Sequence, residues 1–226
     1  MSRLILLLLA IGLGVWCVLT LRRVLAAVPA RKAARAGFFA QSVPLLKDLR
    51  QEVQPTGFAR VAGRYRGLAF DLQALPDTLS FRKLPALWVM VTLTEPQPLS
   101  GEVHLMARAT GQENFSTFGQ MPVALTMPPD FPPDITLRAS SPHALPEPGI
   151  LARIADLFTD PRLKEAVLSP KGLRLVILAE EADRTSYLIF RDAELGSLPL
   201  PAARLQVLLD ALADLHHAQN PLKASA

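Results

Sequence analysis

Four histidines, one cysteine and 20 carboxylates are the side chains with which this 226-residue chain could do acid–base, nucleophilic or metal chemistry. His104 sits where Val103, Leu105 and Ala107 alternate with Glu102, His104, Met106 and Arg108. That period of two places it on the polar face of a strand, as a solvated neighbour of the charges around it. His216 and His217 are adjacent near the end of a helical pattern, about 100° apart around its axis. They lack the i, i+4 spacing of a helical metal pair and instead complement the negative end of the helix. Only His143, with Asp130, Asp134, Ser140 and Ser141 nearby, brings acid, hydroxyl and imidazole into one stretch. Such a group could serve a hydrolase, but this one lies in a proline-rich loop.

The recognisable catalytic frameworks do not occur. There is no G-x-S-x-G elbow, phosphate loop, H-E-x-x-H or G-x-G-x-x-G,. The single cysteine, Cys17, excludes an intramolecular disulfide framework and a multi-cysteine zinc site,. No catalytic, cofactor-binding or metal-ligating residue is assigned, and no cofactor is expected. A second cluster is basic: Arg60, Arg64 and Arg66, with Arg82 and Lys83 soon after. Phospholipid headgroups would suit it, but so would pairing with the acidic side chains of its own domain.

The elements around these residues fall into three parts. Residues 1–21 are a short tail and an apolar run, Leu4–Leu21, of 18 residues without a charge. As a helix the run spans about 27 Å, close to the ~30 Å hydrocarbon core of a bilayer. It is longer than the apolar region of most signal peptides. Residues 1–50 hold eight Lys or Arg against Asp48 alone, a net +7. The remaining 176 residues hold 16 basic and 19 acidic side chains, a net −3. The basic charge therefore belongs to the membrane-proximal segment, and a nucleic-acid partner loses its main support. Arg3 precedes the run, and Arg22, Arg23, Arg31, Lys32 and Arg35 come after it. By the positive-inside rule that excess keeps the downstream chain in the cytoplasm.

Residues 22–54 read as a basic connector at the bilayer surface. Arg22, Arg23, Arg31, Lys32 and Arg35 would meet anionic headgroups there, with Phe38 and Phe39 dipping into the interface. Pro29 and Pro44 argue against one continuous helix.

Residues 55–226 read as a soluble domain able to fold alone. A hairpin is expected from Phe58–Ala62 and Leu68–Leu72, a short strand at Thr78–Arg82, and a central strand at Ala86–Thr94. Ser100–Thr110 comes next through a hairpin loop at Glu95–Leu99, and Ile135–Ala139 is a further strand. Pro148 opens a helix, Asp160-Pro161 opens a second short helix through Leu163 and Val167, and Gly172–Ala179 and Thr185–Arg191 form a hairpin. Pro201–His217 ends the fold as an amphipathic helix. The class is α+β: an N-terminal transmembrane helix, then a mainly antiparallel sheet with C-terminal helices.

Gly63, Tyr65 and Gly67 before an apolar strand, and Asp130, Phe131, Ile135 and Leu137 ahead of a helix, carry a resemblance over about half of the chain. The pattern resembles uncharacterised bacterial single-span membrane-anchored proteins, and the resemblance implies no activity. The expected function is a membrane-tethered cytoplasmic binding or scaffolding domain in the inner (cell) membrane. Its partners would be the lipid bilayer and another membrane or cytoplasmic protein. The alternative is a membrane-associated hydrolase acting on a lipid or peptide near His143.

Overall fold

The computed structural model describes residues 2–78, 84–111, 113–129, 131–190 and 193–220. Nine strands form one antiparallel sheet: β1 (Lys47–Val53), β2 (Ala59–Tyr65), β3 (Leu68–Asp77), β4 (Ala86–Leu93), β5 (Val103–Ala107), β6 (Val123–Leu125), β7 (Ile135–Ala139), β8 (Leu163–Ser169) and β9 (Gly172–Glu181). Their order across the sheet is β1-β2-β3-β4-β9-β8-β5-β7-β6. Among the described residues four α-helices accompany them: α1 (Ser2–Ala36), α2 (Pro148–Leu157), α3 (Arg184–Phe190) and α4 (Ala202–Gln219). The fold is α+β, as expected.

One face of the sheet is the core. Val61, Leu72, Val91, Leu175, Ala166, Leu105 and Leu137 are register partners from β2 to β7 and form a continuous apolar row across it. Leu205, Leu209, Leu212 and Leu215 of α4, and Ile150 and Ile154 of α2, bury against this face. The period-2 strands and the leucine stripe of α4 therefore meet as their patterns predict. The β2–β3 turn is tighter than the expected five-residue connection. Arg66 (φ 51°) and Gly67 (φ 81°) alone turn the chain, the left-handed pair that suits the twist of a hairpin.

Four expectations are corrected. The helix expected through Leu163 and Val167 is strand β8, whose side chains from Leu163 to Leu168 are all buried. With both faces covered, its apolar spacing carries no strand alternation. Thr185–Arg191, expected as a strand, is occupied by α3 up to Phe190. Glu95–Leu99 does not close a hairpin, because the β8–β9 hairpin inserts between β4 and β5. The Gln97 backbone N–H donates to Pro170 O of that hairpin at 3.0 Å. Finally, α1 runs through Pro29 without interruption. The proline removes the donor to the Leu25 carbonyl, but Leu25 and Pro29 are exposed, so water can satisfy the freed group. The strand expected at Thr78–Arg82 lies, past Thr78, outside the described residues.

Candidate functional site

The opposite face of the sheet is polar, and one line of register partners crosses it. Arg50, Ala62, Asp71, Thr92, Arg174, Val167, His104 and Arg138 face each other pairwise from β1 to β7. Directly paired residues of antiparallel strands point to the same side, so all eight belong to one surface. The chain treats its two halves differently.

The half over β8, β5 and β7, with the Met90 and Val176 ends of β4 and β9, is covered by residues 109–111 and 113–121. Phe115 and Phe118 of that segment pack on Met90, Met106 and Val176, with the Phe115 ring 4.9 Å from that of Trp88. Beneath it lies a polar chain. His104 is 2 % exposed, with Nδ1 2.8 Å from Glu165 Oε1 and Nε2 2.7 Å from Glu102 Oε1. The Ser116 hydroxyl donates to the same Glu165 oxygen, and accepts the Phe118 backbone N–H at 3.0 Å. An ionised carboxylate offers only acceptors, so the two carboxylate contacts favour the doubly protonated, cationic imidazole. Burial opposes that charge, but the hydrogen bonds and negative charges of Glu165 and Glu102 raise the His104 pKa above its ordinary value,.

Lys164 ties the covering segment down from its other side. Its Nζ donates to the carbonyls of Ala107 (2.7 Å) and Arg108 (2.8 Å) and pairs with Glu113 at 3.3 Å. Burial would raise the Glu113 pKa, but bonds from the Thr110 hydroxyl and N–H and the Lys164 charge bring it below the usual range. The expected solvated His104 is thus corrected. The alternation assigns the proper sides, but a loop immediately downstream closes over the polar one. Ser116 bonds to Glu165 and not to the imidazole, so this arrangement lacks the hydroxyl–imidazole contact of a nucleophile with its base. It is a clasp between loop and sheet.

The half over β1, β2 and β3, with the Thr92 and Arg174 ends of β4 and β9, stays open as a trough of about 850 Å³. Ala62, Ala69, Thr92 and Thr94 form its floor, and Arg50, Arg60, Arg64 and Arg174 stand around it. Arg60 Nε donates to Asp71 at 2.7 Å, Arg174 Nε to the Thr92 hydroxyl at 3.1 Å, and Arg64 to the Gly67 carbonyl at 2.5 Å. The remaining hairpin arginine, Arg66, leaves this surface and pairs with Asp210 (3.3 Å) and Asp214 (3.0 Å) of α4. Arg82 and Lys83 lie outside the described residues.

The residues expected at the membrane divide. Arg22, Arg23 and Lys32 are exposed along α1. Arg31 is half-buried beside Glu194 and Leu195. Arg35 donates from Nε to Leu195 O at 3.3 Å and lies over the Phe58 ring, 5.6 Å from its centre. Phe38 and Phe39 are each 1 % exposed and belong to the core, packed edge-to-face at 5.2 Å, with Phe58 5.6 Å from Phe38. The expectation that they dip into the bilayer interface is corrected, because their surface is already buried within the fold. Strand β1 likewise moves from the connector into the sheet.

His143 is exposed; its carbonyl accepts the Ser100 hydroxyl at 2.8 Å. Asp134 pairs with Arg108 at 3.2 Å, and the Ser140 hydroxyl accepts the Glu102 N–H at 2.9 Å. Asp130 lies outside the described residues. Asp134 and the Ser140 hydroxyl are thus engaged elsewhere. His216 is buried against Gln97, with Nδ1 2.9 Å from its side-chain nitrogen. Sequence reasoning misses Glu165, Ser116 and Arg174. Long-range register places Glu165 and Arg174, and the loop folded over the sheet places Ser116; no local spacing signals either.

An antiparallel sheet with one helix-covered face, one polar face and a leading apolar helix defines the class of this protein. Compared with protein-family models, curated proteins and solved structures, the chain matches none.

Proposed function

We propose that the chain is a membrane-tethered binding or scaffolding domain, held by α1 at the cytoplasmic face of the inner membrane. The observation that carries this reading is the state of α1. It is the one described helix long and apolar enough to cross a bilayer, and none of its most apolar window is buried in the fold. Leu7, Leu8, Leu9, Leu13 and Trp16 are each more than half exposed. A core helix of a soluble protein would hide these side chains, whereas hydrocarbon would solvate them. The excess of Lys and Arg after Leu21 favours a cytoplasmic domain.

Cell fractionation and paired reporters test the reading. The chain should sediment with membranes and resist extraction by carbonate. A cytoplasm-active reporter fused after Ala226 should work while a periplasm-active one stays silent. Recovery of the domain in the soluble fraction after loss of α1 would replace the tether with a signal sequence. The reversed reporter pattern would invert the topology.

A further inference from the structure

We propose that the open half of the polar face docks an extended acidic segment of a partner protein. The proposal rests on the binding-domain reading above and names the chemistry of its partner.

The trough is cut to a chain and not to a compact ligand. From Arg50 on β1 to Arg174 on β9 there are four inter-strand steps, about 19 Å at the usual strand spacing,. Between them the register line runs through Ala62, Asp71 and Thr92, with Ala69 and Thr94 beside it, so apart from the Arg60–Asp71 pair the floor is made of small side chains. Alternate residues of an extended chain point the same way, about 7 Å apart. Three carboxylates on one side of such a chain would cover most of the distance between the outer arginines.

The charges fit that occupant. Register places Lys47, Arg50, Arg60, Arg64 and Arg174 on this surface, with Glu52 and Asp71; Asp48 lines it at the rim. Asp71 is already engaged by Arg60. Arg50 has no partner among the described residues. Arg60 and Arg174 use Nε for their internal bonds, which fixes their forks over the floor and leaves the terminal nitrogens for a ligand. A guanidinium fork matches a carboxylate with two parallel hydrogen bonds, and prior ordering lowers the entropy lost on binding.

Distance argues for a protein over the bilayer. Helix α1 continues from Arg23 to Ala36, a rise of about 20 Å,, and Gln51 beside Arg50 donates to the Ala36 carbonyl at 3.4 Å. With α1 upright, the trough lies about two Debye lengths below the headgroups.

The test uses the full chain in nanodiscs of zwitterionic lipid and a fluorescein-labelled deca-glutamate peptide, read by anisotropy. Saturable binding that weakens as salt rises is expected. The double variant Arg50→Gln/Arg174→Gln should lose affinity by about tenfold or more, the worth of a charge-assisted hydrogen bond. Arg153→Gln, on the exposed side of α2, should bind as the native chain does, and both variants should keep the native melting curve. Nanodiscs containing phosphatidylserine should leave peptide affinity unchanged. Absence of saturable binding, equal losses in the two variants, or displacement of the peptide by anionic lipid would each overturn the proposal. None of these outcomes touches the fractionation result, so the tether stands or falls separately.

Discussion

His104 and Glu165 meet at 2.8 Å beneath Phe118, joined from β5 and β8, with Glu165 wholly buried. A buried carboxylate of this kind depends on its cation, because removal of one partner leaves the other charged and unpaired. His104→Ala should therefore destabilise the domain by about 3–5 kcal/mol. Urea unfolding followed by circular dichroism measures it, and a cost near that of a surface substitution would show that the clasp carries no weight.

The same pair sets a pH dependence. The folded pKa of His104 is raised, while the unfolded value is about 6.5. Its contribution is then complete below pH ~6.5 and is lost as pH rises through the folded pKa. The urea midpoint of the native chain should fall between mildly acidic and alkaline buffer. His104→Gln, less stable throughout, should show a flatter profile on that side. Parallel profiles would assign the dependence to other groups.

The boundary of the folding unit should lie at Gly37 and not at Pro55. A fragment of residues 37–226 keeps Phe38, Phe39, Leu46 and β1, and should unfold cooperatively in solution. A fragment of residues 55–226 loses three core side chains, each worth roughly 2–5 kcal/mol. Their sum rivals the total stability of a typical domain, about 5–15 kcal/mol. That fragment should aggregate, or bind a hydrophobic dye. A cooperative transition in the shorter fragment would return β1 to the status of a linker.

Two glycines with positive φ should respond differently to substitution. A Cβ on Gly196 (φ 74°) would come within 2.3 Å of the Phe58 ring. Gly196→Ala combines backbone strain with overpacking and should cost about 2–4 kcal/mol. Gly67 (φ 81°) has open space around its Cβ position. Gly67→Asn should be nearly neutral, since asparagine tolerates the left-handed region. Thermal melts of the two variants make the comparison, and equal losses would contradict the close approach at Phe58.

The bond from the Tyr65 hydroxyl to Asp210 at 2.9 Å joins the β2–β3 hairpin to α4. Tyr65→Phe should cost about 1 kcal/mol, or roughly 2–4 °C in Tm for a domain of this size. Arg66→Gln, whose ion pairs are half-exposed, should cost less. A larger loss in Arg66→Gln would reverse that order.

Sequence reasoning reaches what is periodic and local. Strands β4, β7 and β9, helix α2 behind Pro148 and the leucine stripe of α4 all stand near their expected limits. It fails where burial erases period, as in β8, and where tertiary context overrides β-favouring residues, as in the Thr185–Phe190 turn of α3. The polar face is half legible. Arg60 and Arg64 stand out as a basic cluster, and Arg60 does pair with Asp71 of its own domain. Arg50 lies on the preceding strand β1, in the segment read as a connector, while Arg174 is far away in sequence and only the sheet order makes it a neighbour. The alternation puts His104 on the proper side of its strand, but its cover and its second carboxylate come from residues 116 and 165.

The continuity of α1 has a mechanical consequence. Helix and sheet meet without a slack segment, since Arg35, Phe38 and Phe39 are fastened to Leu195 and Phe58 within one turn of the helix end. With α1 fixed in a bilayer, the domain has a set azimuth and height, and does not swing on a leash. One residue added between Arg23 and Ala30 would turn the whole sheet by about 100° and lower it by about 1.5 Å. Any rotation or piston movement imposed on the buried end of α1 would reach the sheet as a change of bearing, in the manner of a key turned in its lock.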